Sequence, residues 1–105
     1  MKRYHPGDAG YNDILQDLQG QSGIFDFQWN MGGELVLWAN KNQIAAYAIL
    51  VDDGIEQFEV RRDLRGQGQG SRMIQELKQD RPRLCLSGYD FSSRAAKFWR
   101  KVGLN

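Results

Sequence analysis

A chain of 105 residues, 41% hydrophobic and 26% charged, has the composition of one globular domain, residues 1–105, able to bury roughly 65% of its unfolded surface around a single core. The lone cysteine, Cys85, excludes an internal disulfide and argues against a metal site built from cysteines. No apolar run approaches the roughly 20 residues of a membrane span, and no leader-like apolar stretch follows Lys2 and Arg3, so a soluble cytoplasmic protein without a membrane partner is expected.

The spacing of Ile14, Leu15 and Leu18 predicts a short amphipathic helix over Asp13–Leu18, ended by Gly20. The period then changes. Glu34–Ala39, Ile44–Val51 and Ile55–Arg61 read as strands, and the short turns Asn40-Lys41-Asn42 and Asp52-Asp53-Gly54 make them an antiparallel meander. Ser71–Gln79 is helical, with Met73, Ile74 and Leu77 on one face and Gly70 on that face a turn earlier. Pro82 forbids its continuation, and Leu84-Cys85-Leu86 is a short strand. Ser92 or Ser93 caps a last helix through Val102, with Ala95, Phe98, Trp99 and Val102 as its apolar face, and Gly103 stops it.

Between the third strand and the second helix lies VRRDLRGQGQGS, Val60 to Ser71. Backbone N–H groups at a helix start have no intrahelical partner, and the helix dipole adds partial positive charge. Glycines at 66, 68 and 70 bare those groups, and Gly70 also lets the helix pack close to the sheet. The expected result is an anion cradle, most naturally for phosphate, with Arg61, Arg62, Arg65 and Arg72 around it. A P-loop is excluded because Ser71 follows Gly70 with no lysine between. A dinucleotide fingerprint is excluded because Ser71 and Met73 occupy the places of its last glycine, and because a meander precedes it rather than a βαβ unit.

The run Arg65-Gly66-Gln67-Gly68-Gln69-Gly70 resembles motif A, Arg/Gln-x-x-Gly-x-Gly/Ala, of the GNAT superfamily of acetyltransferases, and SSRAAKFWRKVGL, Ser92 to Leu104, is similar to its motif B. The two stand in the family's order and cover about Ile55 to Leu104. The resemblance implies an α+β, GNAT-like fold: a mostly antiparallel mixed sheet flanked by helices, truncated at the C-terminus because the chain ends where family members usually continue with one or two strands. It also implies acetyl-CoA as cosubstrate, held by Val60, Arg65, Gly66, Gln67, Gly68, Gln69, Gly70, Ser71, Ser92 and Trp99. Ser92 stands where the family often has asparagine, and Trp99 where it often has a tyrosine assigned as general acid.

The implied chemistry is direct transfer of acetyl from the thioester to an amine, which requires positioning, a neutral amine and support for the oxyanion. An alkylammonium has a pKa near 10.4 and needs a base or a desolvating pocket. Glu59, on the strand entering the loop, is the first candidate base and Glu56 the second; the plain alternative for each is an exposed strand carboxylate. The Val60 backbone N–H matches the family's oxyanion position, and Tyr89 is a candidate proton donor. Cys85, between two leucines, reads as a buried small hydrophobe, His5 as a surface residue, and Trp29 and Trp38 as core or rim residues.

The net charge of +1 hides a division. Residues 1–60 carry three Lys/Arg against nine Asp/Glu, a balance of −6, whereas residues 61–105 carry eleven against four, a balance of +7. Either each half has a solvated surface, or the basic half meets the phosphates of coenzyme A and the acidic half a cationic acceptor such as a polyamine, a lysine or a basic peptide. The expected function is thus N-acetyl transfer to an amine. The alternatives are a catalytically weak acyl-CoA-binding or regulatory module and a nucleic-acid binder using the basic half. A homodimer across the short apolar edge at Leu84–Leu86 is a further expectation.

Overall fold

The computed structural model of the protein describes residues 1–21, 23–26, 32–87 and 93–104. Five strands and three helices are found among them: β1 (Lys2–Tyr4), α1 (Tyr11–Gly20), β2 (Glu34–Asn40), β3 (Gln43–Val51), β4 (Gly54–Val60), α2 (Gln69–Asp80), β5 (Cys85–Leu86) and α3 (Ser93–Lys101), with a 3-10 turn at Arg62–Leu64. The sheet follows chain order, β1-β2-β3-β4-β5. The first three pairings are antiparallel and β4–β5 is parallel, so the expected α+β class and the mixed, mostly antiparallel sheet are both found. No helix among the described residues is long and apolar enough to cross a membrane.

Strand alternation divides the core into two layers. Val36 of β2, with Ala46, Ala48 and Leu50 of β3, faces Met73, Ile74 and Leu77 of α2 and Trp99 of α3. Leu35, Leu37, Tyr47 and Ile49 face Tyr11, Leu15 and Leu18 of α1. The sheet therefore carries α1 on one face and α2 with α3 on the other, and the alanines of β3 leave room for the second layer to approach.

Two register shifts adjust this pattern. Ile49 pairs with Gln57 but Leu50 pairs with Ile55, so Glu56 is the extra residue of a β-bulge. The bulge reverses the alternation of β4: Ile55 and Phe58, three apart, both serve the α2–α3 layer, while Glu59 comes to lie opposite Tyr47 on the α1 face. A second shift makes Ala45 the extra residue opposite β2.

Two features depart from the sequence-based expectation. β1 has no counterpart in the strands read from the sequence; it is a three-residue edge strand with Lys2 and Arg3 exposed, too short and polar to show a period. Cys85 is exposed, contrary to the buried position expected of it. On the outer strand Leu84 and Leu86 turn to the core, so the pleat sends Cys85 outward, its Sγ 3.6 Å from the Asp53 carbonyl oxygen. His5 lies at the surface, as expected, 65% exposed between Asp8 and Glu34.

Candidate functional site

The glycine-rich loop leaves β4 through the 3-10 turn and ends in Gly68, which begins α2 in the left-handed region with φ of 83° and no side-chain cap. Gly66 is also left-handed, at φ 78°. These two glycines serve conformation: a Cβ on Gly66 would meet nothing within 4 Å, and one on Gly68 only the Arg72 Nη2 at 3.9 Å. Gly70 serves packing. A Cβ there would stand 3.0 Å from Val60 Cγ2 and 3.3 Å from the rings of Phe58 and Phe98, so bare backbone lets α2 settle between β4 and α3. The alternate glycines thus divide into two that turn the chain and one that lets the helix approach.

The loop is held by its own side chains. Arg65 Nε donates to the Val60 carbonyl at 3.0 Å and Gln67 Nε2 to the Asp63 carbonyl at 3.4 Å. What remains at the start of α2 are the N–H groups of Gln69, Gly70 and Ser71, the three turn-one donors with no partner within the helix. They border a cavity of about 380 Å³ that Gly66 and Gly68 also line.

The cavity is also lined by aromatic rings that abut Gly70. Phe58 stacks on Phe98 with centroids 5.6 Å apart, and both rings meet Trp99 edge-on, at 5.4 and 4.9 Å. Trp99 is 2% exposed, so it acts chiefly as packed wall between core and cavity. The cavity therefore combines helix-start donors with an apolar aromatic lining, a combination suited to an amphipathic anion.

The outer edge of β4 also borders the cavity. The Arg61 N–H donates to the Ala45 carbonyl at 2.8 Å, which makes that residue pair hydrogen-bonded. By the antiparallel alternation, Val60 then turns its N–H and C=O away from β3, and the Arg65 bond to its carbonyl agrees. The ladder to β5 pairs only Gly54 and Ile55, so the Val60 edge lies beyond it, beside the cavity.

Glu59 contributes backbone to this wall, but its carboxylate lies on the α1 face. Oε1 accepts the Asp26 N–H at 2.7 Å, and Oε2 accepts the Tyr47 hydroxyl, which in turn accepts Gln57 Nε2 at 2.7 Å. Tyr47 is fully buried and its ring meets Phe25 edge-on. The segment Ile24–Asp26 is thereby fastened to the end of β4, with the Arg62 N–H to the Ile24 carbonyl at 3.2 Å and an Arg62–Asp26 ion pair completing the clasp.

Not all four arginines serve the cradle. Arg61 grips Asp63 at 3.0 and 3.1 Å, which holds the Asp63 carboxyl below the ordinary carboxylate range and raises the arginine. Arg62 is turned to Asp26, leaving Arg65, which lines the cavity, and Arg72, whose Nη2 lies near Gly68, without an ion pair among the described residues. Part of the charge division is likewise met within the fold, where Arg81 pairs with Glu34 and approaches Asp53.

The structure thus gathers Val60, Arg65, Gly66, Gly68, Gln69, Gly70, Ser71 and Trp99 at one cavity. It places the Glu59 carboxylate on the other face of the sheet, and Glu56 at the bulge. Tyr89, Ser92 and Trp29 lie outside the described residues. Sequence reasoning did not single out Tyr47, Gln57 and Asp26 around Glu59, or the bond from Trp38 Nε1 to Gln69 Oε1 at 2.7 Å. Their partnerships depend on strand register, which no spacing in the chain displays. Compared with protein-family models, with characterised proteins and with solved structures, the chain gives no match.

Proposed function

We propose that the protein is a GNAT-like N-acetyltransferase that passes acetyl from acetyl-CoA to an amine. The observation that carries this reading is the coincidence, at one 380 Å³ cavity, of a helix start bared by two left-handed glycines, an outward-turned strand edge at Val60 and an aromatic wall. The residues fit such a cosubstrate: a side chain on Gly66 or Gly68 would occupy the bare mouth of the cavity, and the donors behind it suit a pyrophosphate.

When bound, acetyl-CoA supplies a thioester that an amine can attack. The N–H groups of Gln69, Gly70 and Ser71, with Arg65 and Arg72, hold its phosphates. Phe58, Phe98 and Trp99 exclude water along the apolar part. The Val60 N–H stabilises negative charge developing on the acyl oxygen. Cavity and Glu59 carboxylate lie on opposite faces of β4, so an amine would reach the thioester around the open edge at Val60. Glu59 would take one ammonium proton on the α1 side, the neutral nitrogen would bond to the acyl carbon as the C–S bond breaks, and the departing thiolate would take the second nitrogen proton and leave as free thiol. A cationic acceptor suits this side.

Calorimetry with acetyl-CoA, followed by an amine panel monitored by release of free thiol, tests the proposal. Binding with turnover supports it, whereas binding without turnover on any amine favours the acyl-CoA-binding module. The ion pairs of Arg61, Arg62 and Arg81 weaken the nucleic-acid alternative, which would show affinity falling steeply with salt in the absence of coenzyme A.

A further inference from the structure

We propose that Trp38 is a positioning residue for the anion cradle and that, through it, the side-chain amide of Gln69 becomes a donor to the bound anion. The inference rests on the phosphate-cradle reading and adds to it a residue two strands away from the loop.

Gln69 is the first residue of α2 and lines the cavity beside Gly68 and Gly70. A free glutamine side chain there could present either its carbonyl or its amino group to a ligand, and the carbonyl would repel an anion. Trp38 removes the ambiguity. An indole N–H can only donate, so the atom 2.7 Å from Trp38 Nε1 is the amide oxygen, and the amino group, Nε2, takes the other arm of the planar amide. Gln69 is therefore held with its acceptor engaged by β2 and its two remaining polar hydrogens available as donors. The bond joins residues 31 apart in sequence and is partly buried. It also fixes the helix start against the sheet, where Gly70 permits close approach to Val60 and Phe58.

The cradle then combines fixed backbone donors with one side-chain donor whose polarity depends on Trp38. Phosphate and pyrophosphate oxygens accept both kinds. The role of Trp38 is indirect: it acts on the anion only through Gln69.

The test is calorimetric titration of the full chain with coenzyme A and with inorganic pyrophosphate, alongside thermal melting. Trp38→Phe keeps an aromatic ring but frees the amide; it is expected to weaken both ligands about tenfold, the loss of one hydrogen bond. Gln69→Met should weaken them equally, and the double variant should be no weaker than either single one, because both remove the same donor. Gln69→Glu keeps an acceptor for the indole, and so its melting temperature, but replaces the donor with negative charge; a loss on the order of 10² is expected. Equal coenzyme A affinity in wild type and Trp38→Phe overturns the role of Trp38 while leaving the cradle intact, as does a double variant whose losses multiply. Should Trp38→Phe not fold, unchanged affinity in Gln69→Met overturns the proposal instead. A wild-type protein that binds neither ligand overturns the cradle itself, and this inference with it.

Discussion

Tyr47 and Glu59 face one another across β3 and β4, and the buried phenol donates to the carboxylate from the α1 side of the sheet. A residue placed on the strand entering the glycine loop thus has two roles to separate, since its carboxylate also receives the Asp26 N–H. Glu59→Ala should lower stability by about 1–3 kcal/mol by leaving these donors without an acceptor. Glu59→Gln, which retains an acceptor, should cost less. If Glu59 takes the acceptor's proton, Glu59→Gln should also lower kcat on the order of 10² with acetyl-CoA affinity unchanged. Urea unfolding and steady-state kinetics on the same preparations resolve the two, and full kcat in Glu59→Gln would leave the clasp as its role.

The glycines offer a second separation. Gly68→Asn places a side chain in the mouth of the cradle on a residue that tolerates the left-handed region, so acetyl-CoA affinity should fall with little change in melting temperature. Gly70→Ala should act in the opposite sense. Its Cβ would press on Val60, Phe58 and Phe98, costing about 1–3 kcal/mol of stability whether or not a ligand is present. The experiment is melting and calorimetry on both variants, and identical profiles would refute the division of roles.

Both hairpins turn on non-glycine residues with positive φ: Lys41 at 50° and Asn42 at 67° between β2 and β3, and Asp52 at 52° between β3 and β4. Left-handed backbone at two consecutive positions is a type I′ turn, which favours Asn-Gly. Replacing Lys41-Asn42 with Asn-Gly should therefore stabilise the protein by up to about 1 kcal/mol, a rise of roughly 4–8 °C in Tm. A lower Tm would mean that these side chains make compensating contacts.

Two shifted groups set opposite pH limits. Burial raises Tyr11, whose hydroxyl donates to the Gly33 carbonyl at 2.8 Å. The folded state then holds that proton more tightly than the unfolded chain, so its contribution is full below about pH 10 and is lost as the pH rises through the folded value. The Arg61 bond lowers Asp63, whose contribution is full above about pH 4 and is lost as the pH falls through its folded value. Asp63 is exposed, so its effect should be small and should shrink with salt. Unfolding curves of Tyr11→Phe and Asp63→Asn across pH test this: the first should flatten the alkaline fall, the second the acid fall.

Period and turn chemistry made β2, β3, β4, α2 and α3 legible in the chain, because Val36, Ile49, Met73 and Leu77 repeat at the spacing of their elements. The glycine loop was legible for the same local reason. What escaped depends on register. The bulge at Glu56 decides which face Glu59 takes, and nothing in the run IEQFEV marks an extra residue. Likewise, Arg61 and Arg62 looked like part of the cradle because they stand beside it in sequence, whereas Asp63 and Asp26 claim them in space. The leucines beside Cys85 suggest burial, although on a pleated strand they imply the reverse for the residue between them.

Sheet order that follows chain order has a consequence for assembly. β2, β3 and β4 close by two tight hairpins and can form early. The parallel join of β4 to β5 waits for the intervening helix α2 to dock, just as the pairing of β1 with β2 spans α1. Until α2 docks on Val60 and Phe58, the N–H groups of Gln69, Gly70 and Ser71 have no fixed direction. The cradle is therefore made by the same late event that adds β5 to the sheet, and an anion bound there should slow hydrogen exchange along α2 and β5 more than in the β2–β3 hairpin.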